Sequence, residues 1–380
     1  MEFNQKVELV KQFKGLKKER RLREWKSGFQ RVLREEKFLA QDWSLKEQFM
    51  MLVEGGRDLL DDINEFRSTS ISEAVTSADF STVNGQIIYS EVMKGYENET
   101  LITDQLCTTR PTNFDGEKIA GATSLGDDAS VVPENTPIPE VGVSEDWIET
   151  PSTDKRALII SISKEAVFFD KTGVLLKNAS DVGKAIGISK EKRIMSLVTG
   201  ITNSYKHRGN AIDTYGANAG THDWKNLSAS TALQDWTDVD AMLQMLMAIT
   251  DPNTGEPILN TPNQMLIPPA LTDTANRIMN AIHVEATSNT NNVTRSPRPN
   301  AQYQVLTNQY MKNATSSDST WFLGNFKEAF SYQENWPMTV TSQMAGSTAE
   351  FERDILVRHK ASERGVPAVF DPRLVGKATG

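Results

Sequence analysis

Residues 119–154 set the first constraint on this chain: they hold eight acidic side chains, four prolines (Pro133, Pro137, Pro139 and Pro151) and no Lys or Arg. A stretch this charged, with apolar residues only in ones and twos, cannot bury enough surface to build a core of its own. Val131-Val132, Ile138, Val141, Val143 and Trp147-Ile148 nevertheless make it too apolar for a plain linker. Long loops in compact domains tend to be either functional or disordered. The stretch reads as a projecting two-stranded loop ordered by contact with another subunit; a floppy acidic loop is the alternative.

Charge elsewhere complements it. The chain sums to −9, yet residues 1–40 carry twelve Lys/Arg against six Glu, a balance of +6 that leaves −15 for the other 340 residues. A basic head on an acidic body is expected to meet something acidic, either nucleic acid or the body of another copy. Val7, Val10, Phe13 and Leu16, then Leu22, Trp25, Phe29 and Val32, recur at three- and four-residue steps, which predicts a long charged helix over 5–40. It is either a solvated amphipathic helix or an arm that touches nucleic acid or a neighbour. Leu45, Phe49, Leu52, Leu59, Ile63 and Phe66 follow a heptad-like spacing, predicting a second helix over 45–66.

With 380 residues, 38% hydrophobic and 24% charged, the chain can bury a core and has room for two or three domains. Its single cysteine, Cys107, excludes an intrachain disulfide and suits a reducing compartment. No run approaches membrane-span length and the N-terminus lacks a signal-type apolar core, so a soluble intracellular chain is expected.

Local patterns predict a linker over 68–77, a helix over 80–96 capped by Asp79, and an extended arm over 100–112. A strand over 156–163 and a helical turn from Ser163 follow. A helix over 179–198 then places Val182, Ile186, Ile194 and Leu197 on one face, and Gly200 stops it. At ~1.5 Å per residue it would run roughly 30 Å, and Lys177, Lys184, Lys190, Lys192 and Arg193 make it basic. Residues 202–230 read as surface loop. Further on come a helix over 237–248 with Met242, Leu243, Leu246 and Met247 inward, a buried strand at 264–267 and a helix over 271–282. Short strands are expected near 303–306, 321–324 and 330–332. At the end, Phe351, Ile355 and Val357 share one strand face and Glu352, Asp354, Arg358 and Lys360 the other. Ala361 to Gly365 reads as a turn into a second strand at 366–370, closed by Pro372.

No phosphate loop, dinucleotide fingerprint or zinc-protease motif is present. His207, His222, His283 and His359 are scattered, and one cysteine leaves no zinc set. Ser204, His207 and Asp213 could be drawn as a triad, but they lie in a Gly/Asn-rich stretch without a nucleophile elbow. No catalytic, cofactor-binding or metal residue is assigned, and no cofactor is expected.

The order of these parts resembles the major capsid proteins of tailed bacteriophages, with the Hong Kong 97-type shell fold. Residues 157–200 resemble the family's loop-exit strand and spine helix. Trp321-Phe322-Leu323-Gly324-Asn325-Phe326 resembles its "Gly-Asp-Phe" return. Phe351-Glu352-Arg353-Asp354 and His359 to Gly365 resemble its closing strands, and the likeness covers about 70–375. It implies an α+β fold with these parts: a charged N-terminal segment (1–67), an arm (68–113), an extended loop (114–156), a peripheral strand and spine helix (157–224), an axial α/β domain (225–325) and peripheral closing strands (326–380).

The resemblance further implies an icosahedral shell of hexamers and pentamers around double-stranded DNA, in a virion assembled in the bacterial cytoplasm. Portal, scaffold or cement proteins are possible further partners, and no membrane is. Loop residues Asp127, Asp128, Glu134, Glu140 and Trp147 would contact a neighbour, with Lys184, Lys192, Arg353 and Arg358 as candidate partners. Lys14, Lys17, Lys18, Arg20, Arg21 and Arg23 would line the inner wall, where neutralised phosphates make binding strongly salt-dependent. The family's founding member welds subunits through a loop lysine and an asparagine. Here no lysine lies between Lys118 and Lys155, so a shell without such crosslinks is expected. An encapsulin-like nanocompartment shell and a DNA-binding protein acting through the basic head are the alternatives. An enzyme is the weakest, for want of a site.

Overall fold

The computed structural model describes residues 44–46, 78–97, 101–121, 132–134, 136–137, 147–217, 224–251, 255–280, 283–287, 293–297, 303–343 and 354–380. The helix expected over 5–40, most of that over 45–66, and the 68–77 linker lie outside these. In chain order the helices are α1 (Ala78–Tyr96), α2 (Thr103–Leu106), α3 (Lys164–Phe168), α4 (Thr172–Val198), α5 (Trp236–Met247), α6 (Thr272–Asn280), α7 (Gln309–Thr315) and α8 (Phe326–Ala329). The early strands are β1 (Thr108–Pro111), β2 (Lys118–Ala120), β3 (Trp147–Glu149), β4 (Asp154–Ser163), β5 (Lys206–His207), β6 (Asn210–Ala211) and β7 (Leu227–Ser228). After them come β8 (Gln264–Ile267), β9 (His283–Thr287), β10 (Val293–Pro297), β11 (Gln304–Thr307), β12 (Trp321–Gly324), β13 (Phe330–Gln343), β14 (Ile355–Val369) and β15 (Val375–Ala378).

The described chain forms two compact units. The first comprises Met1–Glu99, Lys155–Ser189 and Trp336–Arg364; the second comprises Thr100–Asp154, Lys190–Asn335 and Gly365–Gly380.

In the first unit, α1 and the first part of α4 meet backbone to backbone. A Cβ on Gly95 would lie 2.2 Å from the Ser180 carbonyl oxygen, and one on Gly183 would lie 2.0 Å from that of Val92. Only glycine permits this approach. On the two helices Ile87, Ile88, Val92, Leu176, Ala179 and Ile186 are buried. Two expectations change here. Asp79 falls inside α1 rather than before it, and α4 begins at Thr172, not Ala179. The earlier start was hidden by Gly173, which reads as a breaker but faces open space and costs the helix only its propensity. Ser163 does start a helical turn: its hydroxyl accepts from Ala166 N at 3.3 Å at the head of α3.

The second unit is built on a five-stranded sheet in the order β11-β8-β12-β15-β7. β8 and β12 are buried at every position, as continuous apolar runs covered on both faces require. Val239, Met242 and Leu246 of α5 face inward, and a Cβ on Gly376 of β15 would lie 2.7 Å from Met242 Sδ. Met247, expected inward, is 53% exposed, and Leu243 is half-buried, because the helix period centres the apolar face on Val239, Met242 and Leu246. The 100–112 arm is not wholly extended, since α2 interrupts it with Leu106 fully buried. Nor is 202–230 plain surface loop. It contains β5, β6 and β7 and buries Tyr205, Tyr215 and Trp224.

A further sheet has the order β1-β13-β14-β4. The turn expected at 361–365 is absent, because β14 runs unbroken from Ile355 to Val369. Gly365 serves close approach instead of a turn: a Cβ there would lie 2.6 Å from the Gln333 carbonyl oxygen and 2.7 Å from the Tyr332 ring. Among the described residues no helix is long and apolar enough to cross a membrane.

Candidate inter-subunit surface

The acidic stretch is bracketed, within the second unit, by paired strands. β2 and β3 run antiparallel with Lys118 opposite Glu149, Ile119 opposite Ile148 and Ala120 opposite Trp147; β3 also pairs with β5. Ile148 is buried beneath them. Trp147 is half-buried, with Lys118 Nζ 3.8 Å above its ring, so part of its surface is already covered by its own chain. Lys118 also lies 3.7 Å from Glu149 in a largely exposed pair, a contact worth little by itself. Glu134 is exposed, while Asp127, Asp128 and Glu140 lie outside the described residues.

The candidate cations fall in different settings. Lys184 is exposed on the first-unit part of α4. Lys192 is exposed on the second-unit part, its Nζ 5.2 Å from the Tyr310 ring. Arg358 is half-buried on β14. Arg353 lies outside the described residues, as do Lys14, Lys17, Lys18, Arg20, Arg21 and Arg23. Within the second unit, no ion pair joins Glu134 to Lys192 among the described residues.

Two charged residues of α4, one of them Lys190 from the basic set, are interior. Lys190 is buried, with its Nζ 4.2 Å over the Tyr332 ring. Glu191 is buried and accepts from Ile102 N at 3.2 Å, from the Thr103 hydroxyl and from Asn308 Nδ2. That one carboxylate joins α4 to the starts of α2 and α7. The signal was available in the spacing: Lys190 stands four residues from both Ile186 and Ile194, and Glu191 three before Ile194. Asn226 is a second buried staple. Its Nδ2 donates to the carbonyls of Thr214, Pro372 and Val375, and its Oδ1 accepts from Gly216 N at 2.8 Å. At the C-terminus of α4, Tyr215 Oη donates to Val198 O at 2.5 Å and Lys377 Nζ donates to Thr199 O at 3.0 Å. Burial raises the Tyr215 hydroxyl and lowers the Lys377 ammonium from their usual ranges.

The residues drawn as a triad do not assemble as one. Ser204 Oγ is buried with no hydrogen-bond partner, Asp213 accepts from Asn203 Nδ2 at 3.0 Å, and the His207 ring stacks on Tyr205. Burial pushes the Cys107 thiol far above its ordinary range, which keeps it protonated. Among the described residues, no group of three or more His, Cys, Asp or Glu could hold a metal ion.

Among the described residues, then, paired strands bracket the acidic stretch and α4 carries exposed cations. The model of the phage capsid protein family matches residues 148–377, and the chain belongs to that family. It is a structural subunit of a phage head shell, and its place is in the virion capsid. No curated protein matches the chain. Among solved structures it is similar to a phage-related protein from Bordetella bronchiseptica RB50, at 12% identity over 77% of this chain and 95% of that one, TM-score 0.44. It is also similar to the capsid of the empty GTA particle, at 13% identity over 74% and 90%, TM-score 0.46. The capsid of the cyanophage P-SCSP1u gives 13% over 73% and 87%, TM-score 0.43.

Proposed function

We propose that copies of this chain assemble as hexamers and pentamers into an icosahedral, Hong Kong 97-type shell around double-stranded DNA, formed in the bacterial cytoplasm and without enzymatic activity. The acidic loop of one copy lies against cations of the next: Asp127, Asp128, Glu134 and Glu140 meet Lys184, Lys192, Arg353 or Arg358. The carrying observation is the segregation of charge. Residues 119–154 are acidic without a single cation, whereas 171–193 hold six Lys/Arg against two acids, and Lys177, Lys184 and Lys192 are exposed. Each exposed pair contributes only about 0–1 kcal/mol, so such pairs set register and partner choice more than stability. The basic head, with Lys14, Lys17, Lys18, Arg20, Arg21 and Arg23, faces packaged DNA, and the loop's lack of lysine leaves the shell free of loop-lysine crosslinks.

The test is negative-stain microscopy of the over-expressed protein beside a variant carrying Asp127→Lys, Asp128→Lys, Glu134→Lys and Glu140→Lys. The expected result is closed shells or rings of five and six for the parent and folded, unassembled chains for the variant. Normal shells from the variant would remove the loop from the contact. A covalent ladder on a boiled, reduced gel would contradict the absence of crosslinks.

A further inference from the structure

Residues 44–46 are held against the start of α4. Ser44 Oγ donates to Asp170 Oδ2 at 2.6 Å, and Leu45 N donates to Thr172 Oγ1 at 2.7 Å. The Thr172 hydroxyl in turn donates to Asp170 Oδ1 at 2.6 Å, and Lys46 N approaches the same oxygen at 3.5 Å. The Leu45 side chain is 1% exposed. Polar and apolar contacts therefore converge on three residues of the N-terminal segment.

The position of Asp170 makes its side chain informative. It directly follows the last turn of α3, where Asp170 N donates to Val167 O at 3.2 Å and Lys171 N donates to Ala166 O at 2.9 Å. Its φ is +50°. This is the left-handed closure of a helix C-terminus, a place that glycine fills most easily because any Cβ adds strain. Asp170 is thus not the residue that backbone closure alone would favour. What it adds over glycine is a carboxylate with two acceptor oxygens, and both are used on 44–46 and Thr172. Burial pushes its carboxyl upward, but hydrogen bonds from Ser44, Thr172 and the backbone amides of Lys46 and Leu45 outweigh this and hold it below the usual carboxylate range.

We infer that Asp170 is a clasp that holds residues 44–46 and so fixes the point at which the N-terminal segment joins the first unit. Asp170 is a positioning residue, since it orients the segment and touches no ligand of it. The inference goes beyond the shell reading and does not depend on what the basic head binds.

The test is hydrogen exchange on the full chain with Asp170→Gly and Asp170→Asn. Asp170→Gly removes the acceptors while suiting the left-handed backbone. It is expected to speed exchange of the Leu45 and Lys46 amides at least tenfold and trypsin cleavage after Lys46 by a similar factor. Exchange in α3 and α4 should not change, and the thermal midpoint should not fall. Asp170→Asn, which tolerates the same φ and keeps one acceptor, is expected to lie between. Unchanged protection at 45–46 in Asp170→Gly would overturn the clasp. So would equal loosening of α3 and α4, which would make Asp170 a general fold residue. Neither result bears on whether shells form, which microscopy of the parent chain decides separately.

Discussion

The two units close their interiors by different means. In the first, backbone meets backbone where Gly95 and Gly183 let α1 and α4 touch, and Gly85 likewise gives up its side chain to the Ser342 hydroxyl on β13, 2.8 Å from its would-be Cβ. In the second, short irregular connections leave carbonyls and amides that a sheet ladder does not satisfy, and buried side chains take them up. Glu191 and Asn226 do this from the middle. Asp371 does it near the C-terminus, accepting from Arg373 N at 3.0 Å, while the Arg373 guanidinium lies 2.8 Å from Asp371 and 3.4 Å from Asp251. Regular elements can be packed by removing side chains; irregular ones need polar side chains added, because an orphaned buried group costs about 1–3 kcal/mol.

The largest effect should come from filling the helix crossing. Gly183→Ala puts a methyl 2.0 Å from a backbone oxygen that cannot rotate away, and is expected to cost at least about 3 kcal/mol in urea unfolding. Gly173→Ala in the same helix meets nothing within 4 Å and should instead gain about 0.5–1 kcal/mol. Equal effects from the two would break the contrast.

Acid should then loosen the first unit through His359. This residue is fully buried on β14, with Nδ1 2.9 Å from Ser342 Oγ and Nε2 without a partner. Burial lowers it from 6.5 to about 4. The fold prefers the neutral ring, so its contribution is complete above the unfolded value and is lost as pH falls through that window. At 1.36 kcal/mol per unit, this amounts to about 3 kcal/mol by pH ~4. His359→Gln should flatten that part of the stability profile; the same slope with and without the histidine would show that other groups carry it.

Cutting a staple in the second unit should cost somewhat less. Glu191→Ala strands an amide, a hydroxyl and a side-chain amide together, and about 2–3 kcal/mol of urea stability should be lost. Lys184→Ala, on the exposed face of the same helix, should stay within about 0.5 kcal/mol. Its effect is expected in shell assembly, not in unfolding.

Much of this was legible in advance. The buried strands at 264–267 and 321–324 were visible as apolar runs, Ser163 as a helix start, and the order of parts as a shell subunit. What failed failed at particular residues. Gly365 and Gly173 carry the composition of a turn and a breaker, yet one sits in a long strand and the other in a helix. Residues 202–230 look like solvent-facing loop until Tyr205, Tyr215 and Trp224 are seen buried around Asn226. Of the proposed contact residues, only Glu134, Trp147, Lys184, Lys192 and Arg358 fall among the described ones.

Local periodicity and charge segregation are properties of neighbouring residues, so the sequence alone determined where most helices and strands lie, the acidity of the loop and the family of the protein. Tertiary structure decided which glycines are contacts and which charges are interior. Lys184 and Lys190 are the same residue six positions apart on one helix, one in water and one over an aromatic ring. The free energy of a charge or a missing Cβ depends on what distant parts of the chain place beside it, and that is known only once they have packed.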